Sequence, residues 1–158
     1  MAFRARNRVT TLAASAAAVV APVNDTNENV LATITIPAGL MGTRGILQID
    51  IRMTYNNNGN NKTMRCRWSG AAGTVIWGPT RTTQLGSTTR ITLANRDSAS
   101  SQVYSSINNN DASTADGNAG GTASVNTGAD TSIVISAQKA TGSDTVTLEY
   151  YKVDLIQP

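Results

Sequence analysis

Three arginines at alternate positions, Arg4, Arg6 and Arg8, are the most pointed chemistry in this 158-residue chain. They are its only ionised side chains before Asp25. The chain holds 13 Lys and Arg against 10 Asp and Glu, so setting these three aside leaves ten of each, and the net charge of +3 belongs to the first eight residues. Guanidinium groups suit carboxylates and phosphates as partners. An acidic protein surface is the expected target. Nucleic acid is not, because the sole nearby aromatic is Phe3 and single-strand binders use an aromatic platform. No membrane contact is expected either.

The residue types needed for catalysis are missing or isolated. The chain has no histidine, which removes the most usual general base and the commonest metal ligand. A Ser–His–Asp or Cys–His site is therefore impossible. The single cysteine, Cys66, lies in the alternating run Lys62-Thr-Met-Arg-Cys-Arg-Trp68 and reads as a small buried hydrophobe rather than a reactive thiol. Acidic residues are scattered, with no reason to bring two into a cleft. Gly117 to Gly121 lacks the Lys-Ser/Thr ending of a phosphate loop. Asp111 and Asp116 are spaced wrongly for an EF-hand, and no Glu closes the loop. We expect no enzyme activity, no cofactor and no metal site.

The elements that must carry the arginines follow from pattern. Residues 1–28 read as an N-terminal docking arm, separated from the body by Pro22 and the polar run Asn24 to Glu28. Its apolar stretch, Leu12 to Ala21, is mostly Ala and contains Ser15, too weakly hydrophobic for a secretory signal and too short to cross a membrane. The Ala-rich centre favours helix, whereas Val9, Thr10, Thr11, Val19 and Val20 favour an extended arm; the extended form is expected. Such an arm would pair Arg4, Arg6 and Arg8 with acidic groups while Val9, Leu12, Val19 and Val20 fill apolar grooves or add a strand to an exposed edge.

The body, residues 29–158, alternates with period two and is punctuated by Gly, Asn and Pro. In 30–36, Leu31, Thr33 and Thr35 alternate with Ala32, Ile34 and Ile36. In 46–55, Ile49, Ile51 and Met53 oppose Gln48, Asp50, Arg52 and Thr54. Asn56 to Asn61 carries a hairpin signal, which would set Asp50 and Arg52 across from Arg65 and Arg67. Further strands are expected near 74–77, 82–94 (broken near Gly86), 101–107, 131–136 and 145–156, with a phase shift near Tyr151 and a long polar loop over 108–130 that holds a short strand near 123–125. About eight short strands without helical periodicity predict an all-β antiparallel sandwich of jelly-roll type. Trp68 and Trp77 are expected in its core; the competing reading has Trp68, Trp77, Tyr55 and Tyr104 stacking on sugar rings.

The runs Leu31-Ala-Thr-Ile-Thr-Ile-Pro-Ala-Gly-Leu-Met-Gly42, Gly45-Ile-Leu-Gln-Ile49 and Thr54-Tyr-Asn-Asn-Asn-Gly-Asn-Asn-Lys-Thr-Met-Arg65, with Thr145-Val-Thr-Leu-Glu-Tyr-Tyr-Lys-Val-Asp-Leu155, resemble small virion structural proteins of tailed bacteriophages. The resemblance implies a jelly roll used as a capsid decoration or cement protein on the head exterior. Its partners would be the major capsid protein and further copies of itself, as a trimer rather than a dimer. The alternative it leaves open is a head-fibre or tail-fibre module that binds a receptor or glycan.

Overall fold

A computed structural model describes residues 8–110 and 120–158. These form twelve strands: β1 Arg8–Ser15, β2 Val19–Val20, β3 Asn29–Ile36, β4 Ile46–Tyr55, β5 Lys62–Trp68, β6 Thr74–Trp77, β7 Thr80–Arg81, β8 Gly86–Asn95, β9 Gln102–Asn110, β10 Gly120–Ala123, β11 Thr131–Lys139 and β12 Val146–Gln157. The larger sheet runs β1-β12-β4-β8-β9-β10, with β2 also on β12; the smaller runs β3-β11-β5-β6, with β7 on β5. Every pairing is antiparallel. The result is the expected sandwich of jelly-roll type.

Alternation does the sorting. In β4, Leu47, Ile49, Ile51, Met53 and Tyr55 point inward, and β5 sends Met64, Cys66 and Trp68 to meet them from the other sheet. Burial drives the Cys66 thiol pKa well up, so it behaves as the packing residue the sequence indicates. Trp77 crosses between sheets, its Nε1 donating to Asn108 Oδ1 at 2.5 Å. In β3 the phase slips: a register shift opposite Ile135/Ser136 turns Leu31 inward together with Ile34 and Ile36. Strict alternation puts Leu31 on the other face; the bulge adds the missing residue.

The expected β4–β5 hairpin does not form, because the two strands belong to different sheets. Asp50 instead holds Arg90 of β8, at 2.7 and 3.2 Å. Arg65 and Arg67 pair with Glu28. The asparagine run bridges the sheets by ringing a buried carboxylate. Asn56, Asn58 and Asn60 donate Nδ2 to Asp144 Oδ1 at 3.0, 2.6 and 3.3 Å. Lys62, fully buried, donates to Asn58 Oδ1, the Asn60 carbonyl and the Thr82 carbonyl. Burial lowers the Lys62 pKa, and the charge of Asp144 opposes that shift. The lysine serves as the loop's internal cation.

The expected arm is corrected over residues 8–28. It is extended, but it lies on the body and does not project from it. β1 and β2 run along one edge of β12, from Arg8 opposite Gln157 to Val20 opposite Thr147. Thr11 donates to Asp154 at 2.7 Å. Beyond β2, Ala21 N donates to the Val146 carbonyl and Asn24 N to that of Gly142. Lys139 Nζ grips the Pro22 carbonyl at 2.7 Å. Gly142 fits so closely that a Cβ there would sit 2.8 Å from Asn24 Cα. Glu28 closes the sequence of fastenings, taking Arg65, Arg67 and Ser136 together. Arg4 and Arg6 fall outside the described residues.

Removing the ammonium leaves three buried oxygen acceptors without their donor and takes the nearest cationic charge from Asp144. Lys62→Met is expected to lower unfolding free energy by roughly 3–5 kcal/mol, read from urea denaturation. A loss below about 1 kcal/mol, the scale of an exposed pair, would show that the ring is not structural.

A candidate docking face on the larger sheet

The outward face of the larger sheet can be read row by row from its register. Val9 faces Ile156, which faces Ile46, then Ala94, then Val103 and finally Thr122. This is an apolar band across five strands, closed by a threonine. Val9 is 61% and Val103 42% exposed at its two ends; Ile46, Ala94 and Ile156 are half-buried between them. In-register apolar residues on the solvent side of a sheet stabilise neither core nor solubility, and contiguous patches of this kind mark interaction sites.

The next row is polar: Thr11, Asp154, Gln48, Thr92 and Ser105. Burial pushes the Asp154 pKa up, but hydrogen bonds from Lys152 and Thr11 outweigh it and hold the carboxyl below its ordinary range. The row after that reads Lys152, Asp50, Arg90 and Ile107. Here the Asp50 carboxylate raises the Arg90 pKa through its hydrogen bond and its charge. Lys152 Nζ reaches Asp154 at 2.5 Å. With Tyr150 and Thr88 these residues line an open depression of about 480 Å³.

The opposite face of the sandwich is quieter. Its two arginines on β5 are committed to Glu28, whose carboxyl lies below its usual range chiefly through the hydrogen bond from Arg67.

The described residues singled out by sequence separate into four groups. Arg8 is exposed at the start of β1, and Val9 caps the apolar band beside it. Val19 and Val20 are exposed on β2, along the sheet edge. Leu12 packs against the protein's own core, so it is not free to fill another protein's groove. Trp68, Trp77 and Tyr55 are buried, and Tyr104 is packed against the core; none of the four is placed to stack on a sugar. Tyr150, which alternation along the last strand puts on one side with Val146 and Leu148, is instead the tyrosine left exposed, because the phase shift expected near Tyr151 falls between Leu148 and Tyr150. The band escapes sequence reasoning because it exists only once five strands are in register, although Ile46, Val103 and Ile156 each stand at a solvent-side position of an alternating strand. Among the described residues no group of three or more His, Cys, Asp or Glu is placed to hold a metal, and no helix is long and apolar enough to cross a membrane.

No protein-family profile matches the chain, and no curated protein matches it. Solved structures with a similar outline include the CBM2 module of the evolved Dit of Lactobacillus casei BL23 phage J-1, at 8% identity and a TM-score of 0.46, covering 98% of this chain and 99% of that one. Peanut lectin gives 8% identity and a TM-score of 0.42, covering 98% of this chain and all of that one. A chain of infectious bursal disease virus, strain Gx, gives 13% identity and a TM-score of 0.34, with 96% of this chain spanning 39% of that one.

Asp154 ties β1 to the sheet, and its depressed pKa gives that tie a pH dependence. The contribution is complete above the ordinary aspartate value of 3.8 and is lost as pH falls through the lower folded value, because the protonated form is disfavoured in the native state. Amide exchange over Thr10–Ser15 is expected to rise on acidification below that value. Asp154→Asn should raise it at neutral pH by about tenfold or more. Unchanged exchange in the variant would remove the carboxylate from the latch.

Proposed function

We propose that the protein is a virion decoration protein of the cement kind, seated on the exterior of a phage head and bridging major capsid protein subunits. The observation that carries this reading is the apolar band ending at Val9, immediately beside Arg8 and the two arginines that precede it. A surface that is apolar with a cationic margin fits a partner that is apolar with an acidic margin. The role requires no catalysis, cofactor or metal. Self-association, as a trimer rather than a dimer, multiplies weak single contacts into avidity.

Fastening residues 8–28 to the body changes how docking would work. An arm of 28 free residues would span about 90 Å at roughly 3.3 Å per residue. With residues 8–28 laid along β12, that span is not free to reach a neighbour. The body face then supplies the main contact, and the leading arginines supply a short electrostatic margin. A second reading, a receptor- or glycan-binding module of a head or tail fibre, is favoured by one observation: Tyr150 exposed beside the Asp50–Arg90 pair.

Co-sedimentation with undecorated heads tests the docking reading. Val9→Asp combined with Val103→Asp should lower decoration at least tenfold, since each valine forfeits about 1.5 kcal/mol or more of burial and a carboxylate enters the contact. Replacing Arg4, Arg6 and Arg8 by Ala should flatten the salt dependence of binding. Decoration undiminished in the valine variant would overturn the role of the band.

A further inference from the structure

The strand β12 contains one residue more than its pairing needs. Leu148 faces Met53, yet Tyr150 faces Arg52, so Glu149 is the extra residue of a bulge. Were Glu149 to take its place in the ladder opposite Arg52, Tyr150 would face Ile51 and point into the core. Bulges re-aim side chains, and they are enriched beside functional sites. Here the consequence is that a tyrosine leaves the apolar interior and stands 40% exposed. The displaced Glu149 does not crowd it, because its carboxylate is taken by the hydroxyl of Thr54. The neighbouring edge does not cover it either. Pairing along β12 is interrupted between Ser15 and Val19, and the chain passes the gap with three exposed alanines, 16–18.

Tyr150 borders the depression whose floor is the Asp50–Arg90 pair. Ile107, 58% exposed, stands at the far side, with Thr88 and Lys152 on the margins. The ionised groups are already matched: Arg90 with both Asp50 oxygens and Lys152 with Asp154. A charged ligand would have to compete with those pairs. A neutral ligand would not, and it would find carboxylate acceptors, guanidinium and ammonium donors and a hydroxyl within one shallow cavity. The ligand must also offer a flat C–H surface to an aromatic face and an apolar edge to Ile107. A pyranose ring has both: hydroxyls that donate and accept around its rim, and axial hydrogens across its face.

We infer that this depression is a binding site for a neutral pyranose of an oligosaccharide, with the ring stacked on Tyr150 and its hydroxyls shared between Asp50 and Arg90. The site uses none of the band residues, so it stands whether the protein sits on a head or a fibre.

The test is titration of the isotope-labelled protein, followed by amide shifts, with three tetrasaccharide probes: maltotetraose, chitotetraose and tetragalacturonate. At least one neutral probe is expected to shift the resonances of residues 50, 90, 107, 150 and 152 together. Tyr150→Ala should weaken that binding about tenfold, whereas Tyr150→Phe, which keeps the ring, should preserve it. Asp50→Asn should also weaken it while leaving the remaining spectrum, and hence the fold, intact. Three outcomes overturn the inference: neither neutral probe shifts these resonances, only the acidic probe binds, or neutral binding is indifferent to Tyr150→Ala. Adsorption of particles to cells, measured separately, bears on the fibre reading alone, so the sugar site and the virion role stand or fall independently.

Discussion

Strand β12 is the constraint on which the rest of the structure depends. It is hydrogen-bonded along both edges, by β4 on one side and by β1 and β2 on the other. It therefore fixes the register of the larger sheet and the position of the chain's leading segment at once. A strand paired on both sides cannot slip by one residue without reversing every side chain it carries. The bulge at Glu149 is the one place along β12 where its pairing with β4 relaxes that rule. It lets Val146 and Leu148 face inward before it and Val153 and Leu155 after it, and it exposes Tyr150 between them.

Polar groups close the two ends of the sandwich, which accounts for a composition poor in charge and rich in amides. At one end Asn95 donates to the Gly42 carbonyl and Thr127 Oγ1, while Gln102 donates to Asn95 Oδ1 and the Val125 carbonyl. At the other, three asparagines surround Asp144, and Lys62 completes the ring. Lys62 and Lys139 are buried side by side, in register across β5 and β11. They avoid mutual repulsion by turning to different acceptors: Lys62 to the asparagine loop, Lys139 to the Pro22 and Gly142 carbonyls. Buried polar groups are tolerated when each finds partners, and side-chain amides supply donor and acceptor from one residue.

Strand existence and facing are legible in the sequence wherever alternation runs unbroken. Met64, Cys66 and Trp68 of β5 and the inward row of β4 are the clear cases. The polar loop expected over 108–130 is only partly legible: residues 108–110 continue β9 and a short strand lies at Gly120–Ala123, ahead of the expected 123–125, while residues 111–119, which hold the Asp111–Asp116 stretch and most of Gly117–Gly121, lie outside the described residues. What a single sequence does not supply is the partner of each strand. Asn56 to Asn61 has the residue types of a tight turn, but its amides serve Asp144, distant along the chain and adjacent in space. The same gap hides the fate of the leader. Its β-branched flanks announce an extended segment, and nothing local to them names β12 as the edge on which it lies.

The electrostatics sharpen the division of labour between the two faces. On the smaller sheet, Glu28 neutralises Arg65 and Arg67 and is itself delivered by the leading segment. On the larger sheet, Arg90 and Lys152 are matched by Asp50 and Asp154, so its charge is local and paired. The surplus is confined to the first eight residues, adjoining the apolar band at Val9. Opposed charges held within a few ångströms produce short-range fields, whereas an unmatched cluster acts over a Debye length of about 8–10 Å at physiological salt. The body's paired charges therefore act only over short range.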